Sequence, residues 1–372
     1  MDSKLFFCSE KIKEICRCSP VIIYGAGVMG KSLRLCLEGE PYRKVVKAFV
    51  VNDTGRNPKR IGTTPVMGID EASEYKNTSI IVALNDTNMR EAIDELSSKG
   101  FSKLIELNAA EDDWAYLKAN YFLSNPDDCF TNFSMLPENL HSDCKTECKV
   151  YVVRSIYDKP VAREMALRLY EKNIQVGAAL TDTRICDLSD EKGDNISNLN
   201  RQYCELTALY WIWKHCTEDY IGISHYRRRF DIDNSNIENI SACKADIIVT
   251  VPVINTAGVG QQYCITHSEA DWNIVREEVH KHSPEYDRSL EIVEKQIYFH
   301  AYNMFIMRRE IMNEFCDWLF PILFSCTERI GVKADSYQNR YPGFISERLL
   351  NVFLYQNREK YNIFIANKKY LT

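Results

Sequence analysis

Short apolar runs alternate with helix-period stretches along the whole chain, a pattern that predicts an α/β architecture. In the first block, Val21-Ile22-Ile23-Tyr24, Val45–Val51, Ser79–Leu84 and Lys103–Leu107 read as buried strands, with helices over Lys31–Glu38 and Met89–Lys99. This block closes near residue 110. Residues 111–147 carry turn formers, among them Asn125-Pro126-Asp127-Asp128 and Leu136-Pro137-Glu138-Asn139, and read as an irregular linker or covering segment. The pattern restarts with a strand at Lys149–Val153 and a helix over Val161–Lys172. A long helix follows from Asn195-Ile196-Ser197, with Ser197 or Asn198 as its cap, through Lys214; it is apolar on nearly every face and should be buried. Further strands are expected at Tyr220–Ser224 and Ala245–Val251. Later helices are expected at Glu269–His282, Arg309–Phe324 and Ser346–Gln356. The predicted organisation is a Rossmann-like parallel-sheet module over 1–110, a linker over 111–147, and an α/β domain with a mostly parallel or mixed sheet over 148–372.

The turn after the first strand, Gly25-Ala26-Gly27-Val28-Met29-Gly30, matches G-x-G-x-x-G between a strand and a helix. Gly25, Gly27 and Gly30 would let backbone amides approach a phosphate, and Asp53 after the second strand stands where a ribose-binding acid would sit. NAD(P) or another nucleotide is therefore a candidate ligand of the module. A module that keeps the fold and binds nothing is the competing reading, because no Tyr-x3-Lys or other hydride-transfer constellation follows.

Composition narrows the field. With 46 basic and 52 acidic residues the net charge is −6, so nothing draws the chain globally to nucleic acid. Hydrophobic residues at 45% exclude a disordered chain. The 14 cysteines are scattered, with Cys16-x-Cys18 and Cys144-x3-Cys148 the close pairs and no nearby set to complete a zinc site. Reduced thiols in the cytoplasm are the expectation. The start of the sequence does not read as a signal peptide, and no run approaches the ~18 apolar residues of a membrane span. Lys368-Lys369 with neighbouring apolar residues offers a weak peripheral contact at the inner face of a membrane.

The densest chemistry follows Tyr220–Ser224. That strand delivers His225, Tyr226, Arg227, Arg228 and Arg229 to its carboxyl end, where open α/β sheets bind ligands. Guanidinium forks suit phosphate oxygens, and two can neutralise a diphosphate. A solvated basic turn, or pairing with Asp231 and Asp233, is the competing reading. Tyr226, Arg227 and Arg228 are accordingly donor-binding candidates, and His225 a candidate catalytic group. Asp231-Ile232-Asp233 is an Asp-x-Asp, a candidate Mn²⁺ or Mg²⁺ site through hard oxygen ligands. Asn195, Ser197, Asn200 and Glu205 could meet sugar hydroxyls or phosphate, although plain helix capping accounts for the cluster equally well. Glu205, inside an apolar helix, needs a partner, and Arg227 or Arg228 would serve. Gln261-Gln262-Tyr263 and His267–Trp272 form a polar-aromatic loop able to cover a site. His267, His300 and Asn303 are acceptor-side candidates. Glu347 is the candidate general base, with Asp271 behind it. A helix capped by Ser346 would put Glu347 in its first turn, which alone would account for an acid there.

Taken in order, Gly193–Ser197, Tyr203–Lys214, Gly222–Phe230, Tyr302–Met307, Trp318–Leu323 and Gly343–Leu350 form a series of motifs. With them, residues 148–360 resemble the bacterial capsular and exopolysaccharide glycosyltransferase family long described as a domain of unknown function, some of whose members are galactofuranosyltransferases. Where that family's first strand commonly ends in His-Lys, Arg154-Ser155 stands here. The resemblance implies a glycosyltransferase-A-like fold, a nucleotide-diphosphate sugar donor (a UDP-sugar above all) and a lipid-linked or oligosaccharide acceptor. It also suggests that Arg227 and Arg228 replace a metal's charge on the leaving diphosphate. An NAD(P)-dependent oxidoreductase or epimerase built on Gly25–Gly30, and a non-catalytic assembly scaffold, are the alternatives.

Overall fold

The computed structural model of the chain describes residues 5–84, 86–108, 111–125, 130–135, 146–161 and 165–371. It divides into two units, residues 1–130 and 131–372.

The first unit holds strands β1 (Val21–Tyr24), β2 (Val46–Val51), β3 (Arg60–Ile61), β4 (Thr64–Gly68), β5 (Ser79–Leu84) and β6 (Leu104–Asn108) in the order β3-β4-β2-β1-β5-β6. Every pairing is parallel except β3 with β4. Parallel neighbours need crossovers, which α2 (Val28–Glu38) and α3 (Asp86–Ser98) supply. Helix α1 (Glu10–Arg17) starts at Ser9, whose hydroxyl accepts the Ile12 amide. The chain turns from β1 into α2 through Gly25, at φ +99°. A Cβ on Gly30 would stand 2.0 Å from the Gly25 carbonyl oxygen, so strand and helix approach closely only with glycine there.

The irregular reading of residues 111–147 fails at Asp112–Ser124, which forms helix α4. Two aspartates open it, and Trp114, Leu117 and Phe122 bury one stripe. The turn formers lie beyond its end; 126–129 and 136–145, including Leu136-Pro137-Glu138-Asn139, lie outside the described residues.

In the second unit a nine-stranded sheet comprises β7 (Thr131–Asn132), β8 (Cys148–Arg154), β9 (Glu171–Gln175), β10 (Tyr220–His225), β11 (Arg228–Phe230), β12 (Ile247–Thr250), β15 (Phe305–Arg308), β16 (Ile363–Ala366) and β17 (Lys368–Tyr370). A separate pair is β13 (Val253–Ile254) with β14 (Tyr298–Phe299). Strand β10 is central: β8 runs parallel along one edge as far as His225, and β15 runs antiparallel along the other as far as Ile223. Beyond Ile223, β11 folds back at His225 and pairs with β17. One face of the sheet buries Val150, Tyr220, Phe230, Ile248 and Ile306 together.

The helices are α5 (Asn200–Tyr203), α6 (Leu206–His215), α7 (Asn234–Glu238), α8 (Val259–Thr266), α9 (Glu269–His282), α10 (Asp287–Lys295), α11 (Arg309–Ile330) and α12 (Tyr341–Gln356). Four expectations need correction. The helix predicted at Val161–Lys172 is not formed: 165–170 is irregular and Glu171–Gln175 is β9, with 162–164 outside the described residues. There Glu171 is buried against Arg229, and pairing with β8 outweighs a helical period. The long apolar helix is broken at Cys204, whose φ is +49°; the Asn200 side-chain Nδ2 donates to the Cys204 carbonyl (2.7 Å) and competes with helical bonding. The loop expected around Gln261 is α8. Finally, α12 begins at Tyr341, so Ser346 is buried inside the helix and Glu347 lies past its first turn, where the helix dipole no longer accounts for an acid.

Candidate functional site

The break at Cys204 places Glu205 at the start of α6, and the early start of α12 carries Glu347 inward. Between them runs the turn from β14 to β15. Its residues Tyr302 and Asn303 have φ of +77° and +49°, a left-handed pair that side chains rarely adopt. Side chains from three elements hold it. The Tyr302 amide donates to Glu347 Oε1 at 2.8 Å. The Asn303 amide group donates to Glu205 Oε1 at 2.8 Å and to the Gly343 carbonyl at 3.2 Å. His225, at the end of β10, sets its Nε2 2.6 Å from the Tyr302 carbonyl oxygen and donates to it. Glu205 thus takes its hydrogen bond from Asn303, not from Arg227 or Arg228 as expected.

Cations gather over the same turn. The Arg228 guanidinium lies 4.5 Å from the Tyr302 ring and 5.1 Å from that of Tyr370, and Lys368 Nζ lies 5.1 Å from Tyr302. Arg348 binds Glu347 Oε2 at 2.8 Å and the Gln262 side chain at 2.6 Å. Burial raises the pKa of Glu347 above the usual carboxylate range and the neighbouring Glu205 adds to that, while Arg348 and Arg228 oppose it.

Beyond the carboxyl end of β8 lies a cavity of about 300 Å³ lined by Val152, Arg154, Asp158, Asn173, Tyr226 and Leu371 among others. The Tyr226 ring is flanked by Arg154 at 5.7 Å and Arg227 at 5.4 Å, and its hydroxyl accepts the Lys159 amide at 3.1 Å. Asn173 Oδ1 in the lining is buried with no partner, as is Nε of Arg227 beside Tyr226, an arrangement that costs free energy unless a ligand or water completes it. Arg229 differs from its neighbours: it is buried, bonded to Glu171 and to the Met165 and Ala166 carbonyls, and acts as a structural pin.

The structure therefore brings His225, Arg228, Glu205, Asn303 and Glu347 together, with Tyr226 in the cavity lining and Arg227 against the Tyr226 ring. It sets the other candidates apart. Asn195, Ser197 and Asn200 are engaged in their own loops: Asn195 accepts the Ser197 amide, and the Ser197 hydroxyl donates to buried Asp190 at 2.5 Å. Asp190 also takes the Thr207 hydroxyl and the Gly177 and Ala178 amides. Asp271 is paired with Lys333. His267 stacks 4.2 Å from Phe344, and burial lowers its pKa to about 4. His300 is buried with Nδ1 on the Thr250 carbonyl at 2.7 Å and Asn351 on its backbone. Asp231 is held by Arg168 at 3.0 Å and Lys369 at 3.3 Å, and Asp233 starts α7. Among the described residues no three His, Cys, Asp or Glu side chains are placed to share a metal ion. In the first unit, Asp53 accepts the Gly55 amide and pairs with Arg56, while Gly27 faces open space. Sequence reasoning assigned no role to Tyr302 or Arg348, and took Lys368 for a peripheral membrane contact. The left-handed turn that makes Tyr302 central leaves no mark in a hydrophobic pattern, and the basic pair that marks Lys368 does not show that it lies over Tyr302.

The family described as Domain of unknown function (DUF4422) matches residues 156–358, more than half of the chain. The chain belongs to this family. The DUF4422 region contains Glu205, His225, Arg228, Tyr302, Asn303, Glu347 and Arg348, and leaves Lys368 and the first unit outside. Among solved structures, the chain is similar to the WbbM bifunctional glycosyltransferase in its apo form, at 25% identity and a TM-score of 0.54. The likeness covers 61% of this chain and 46% of that one, so the chain spans about half the length of that protein. No curated protein matches. The glycosyltransferase-like family and the mixed α/β fold, with its parallel-strand sheets, agree with the sequence-based expectation. No described helix is long and apolar enough to cross a membrane.

Proposed function

We propose that this DUF4422 protein transfers a sugar from a nucleotide-diphosphate donor to a saccharide acceptor. The observation that carries the reading is the adjacency along one short segment: Tyr226 in the lining of a cavity that holds the unpartnered Asn173 Oδ1, then Arg227 with its own buried and unpartnered Nε, then Arg228 over the turn that two glutamates hold. A planar base or ribose suits the cavity. The diphosphate is met by Arg227 and Arg228, whose charge stabilises the leaving group as the glycosidic bond to phosphate breaks. Asp231 is already neutralised by Arg168 and Lys369, which favours guanidinium over an Asp-x-Asp cation for that task. A UDP-sugar, with galactofuranose among the donors to try, and a lipid-linked acceptor of capsule or exopolysaccharide synthesis are the finer parts of the proposal.

The test is product mass spectrometry with a panel of nucleotide sugars and a lipid-linked acceptor. Turnover should survive EDTA and fall on the order of 10²-fold or more in Arg228→Ala and Arg227→Ala. Turnover abolished by EDTA and restored by Mn²⁺ rejects the guanidinium mechanism. Thermal-shift titration separates the alternatives: stabilisation by UDP supports transfer, and stabilisation by NADPH alone supports an oxidoreductase on the Gly25–Gly30 turn.

A further inference from the structure

The site holds two carboxylates, and their surroundings divide the work between them. Glu347 has both oxygens committed: Oε1 accepts the Tyr302 amide and Oε2 accepts the Arg348 guanidinium, which is itself anchored on the Phe344 carbonyl (3.0 Å) and Gln262. A carboxylate so clamped is tied to the turn and to a cation, and both bonds resist giving its oxygens to a substrate proton. Glu205 is different. It is half-buried, its Oε1 takes one hydrogen bond from the neutral Asn303 side-chain amide, Arg340 is the cation that faces it without bonding it, and its Oε2 has no hydrogen-bond partner among the described residues. It stands at the kink where α6 begins, close to Gly343, and its charge adds to the burial that raises the pKa of Glu347.

We infer that Glu205 is the general base of the transfer and that Glu347 is a positioning residue that locks the left-handed Tyr302–Asn303 turn. The inference rests on the transferase reading above and assigns its proton. An acceptor hydroxyl gives its proton to Glu205 Oε2 while its oxygen forms the new bond to the anomeric carbon. The bond from that carbon to the diphosphate oxygen breaks, and its electron pair leaves with the diphosphate under Arg228. Attack opposite the leaving group inverts the anomeric centre. Asn303, bonded to Glu205 Oε1, keeps the free oxygen turned toward the acceptor; Glu347 reaches the chemistry only through the turn that carries Asn303.

The two roles respond differently to substitution. Gln at 347 can still accept the Tyr302 amide through its side-chain oxygen, whereas Ala cannot. Gln at 205 keeps the size and loses the basic oxygen. The experiment measures kcat, donor KM and the pH profile of kcat in the full chain, for Glu205→Gln, Glu347→Gln and Glu347→Ala, with the anomeric configuration of the product read by NMR. Expected are a fall in kcat on the order of 10²-fold or more in Glu205→Gln with donor KM little moved and the acid-side limb of the pH profile lost. Glu347→Gln should lose no more than about ten-fold and keep that limb, with Glu347→Ala clearly worse than Glu347→Gln. Glu347→Gln as inactive as Glu347→Ala and without the acid limb, or Glu205→Gln with near-normal kcat, overturns the division of roles, as does a product of retained configuration. Wild-type protein that turns over no nucleotide sugar overturns the transferase reading itself and this inference with it. A folded Glu205→Gln, shown by an unshifted melting temperature, excludes simple loss of structure.

Discussion

His300 illustrates how burial governs a single residue. Removed from water and bonded through Nδ1 to the Thr250 carbonyl, it has its pKa lowered from 6.5 to about 4, first by burial and then by the charge of Lys368. In the unfolded chain it titrates near its ordinary value, so between pH 6.5 and 4 the unfolded state binds the extra proton. Its contribution to stability is therefore complete above pH 6.5, falls as pH drops toward 4, and levels off below; a gap of that size corresponds to about 3 kcal/mol. Urea unfolding at pH 7 and pH 4.5 should show wild type losing more stability on acidification than His300→Asn. Equal losses in the two proteins would contradict it. The same residue marks what a sequence withholds at this scale. A His and an Asn three positions apart looked alike as acceptor-side candidates, yet the tight turn at Tyr302-Asn303 sends Asn303 to Glu205 and leaves His300 behind it. Residue type was legible; the sign of φ at Tyr302, which sorts the two, was not.

Among elements, strands and helices with an uninterrupted pattern were readable nearly to the residue: Ser79–Leu84 and Glu269–His282 form where expected. Two of the misreadings share a cause, a polar side chain that settles backbone bonding against the local period. Asn200 does so at the α5–α6 break, and the Glu171–Arg229 pair does so at β9. That pair is nearly inaccessible, at 3% and 0% side-chain exposure for Arg229 and Glu171, so removing one partner strands a buried charge. Glu171→Ala should cost about 3–5 kcal/mol, read as a lower urea midpoint with an unchanged slope. A loss below about 1 kcal/mol would mean that the charge finds water. In the first unit the matching test is Gly30→Ala. Its new methyl would sit 2.0 Å from the Gly25 backbone oxygen, where no flexible side chain can yield, and about 1–3 kcal/mol or more of stability should go. A melt indistinguishable from wild type would show that the β1–α2 crossing can open at little cost.

At the scale of the whole molecule, both α/β blocks were legible because each restarts its own strand pattern, but their boundary was not. Helix α4 extends the first unit past 110, and β7 adds Thr131-Asn132 to the edge of the second sheet beside β16. This matters for where the activity resides. The second unit has 372 − 130 = 242 residues, enough for a core of its own, and its sheet is completed entirely from within. The family match and every residue assigned to donor, acceptor and proton transfer fall inside it. A fragment of residues 131–372 should therefore melt cooperatively and be stabilised by UDP to the same degree as the full chain at equal ligand concentration. A fragment begun at residue 148, where the sequence pattern alone would have cut, loses β7 and Phe133 from the core beside β16 and should melt lower. If the longer fragment folds but no longer responds to UDP while the full chain does, the nucleotide site lies with the glycines of the first unit, and the assignment of Tyr226, Arg227 and Arg228 to the donor falls.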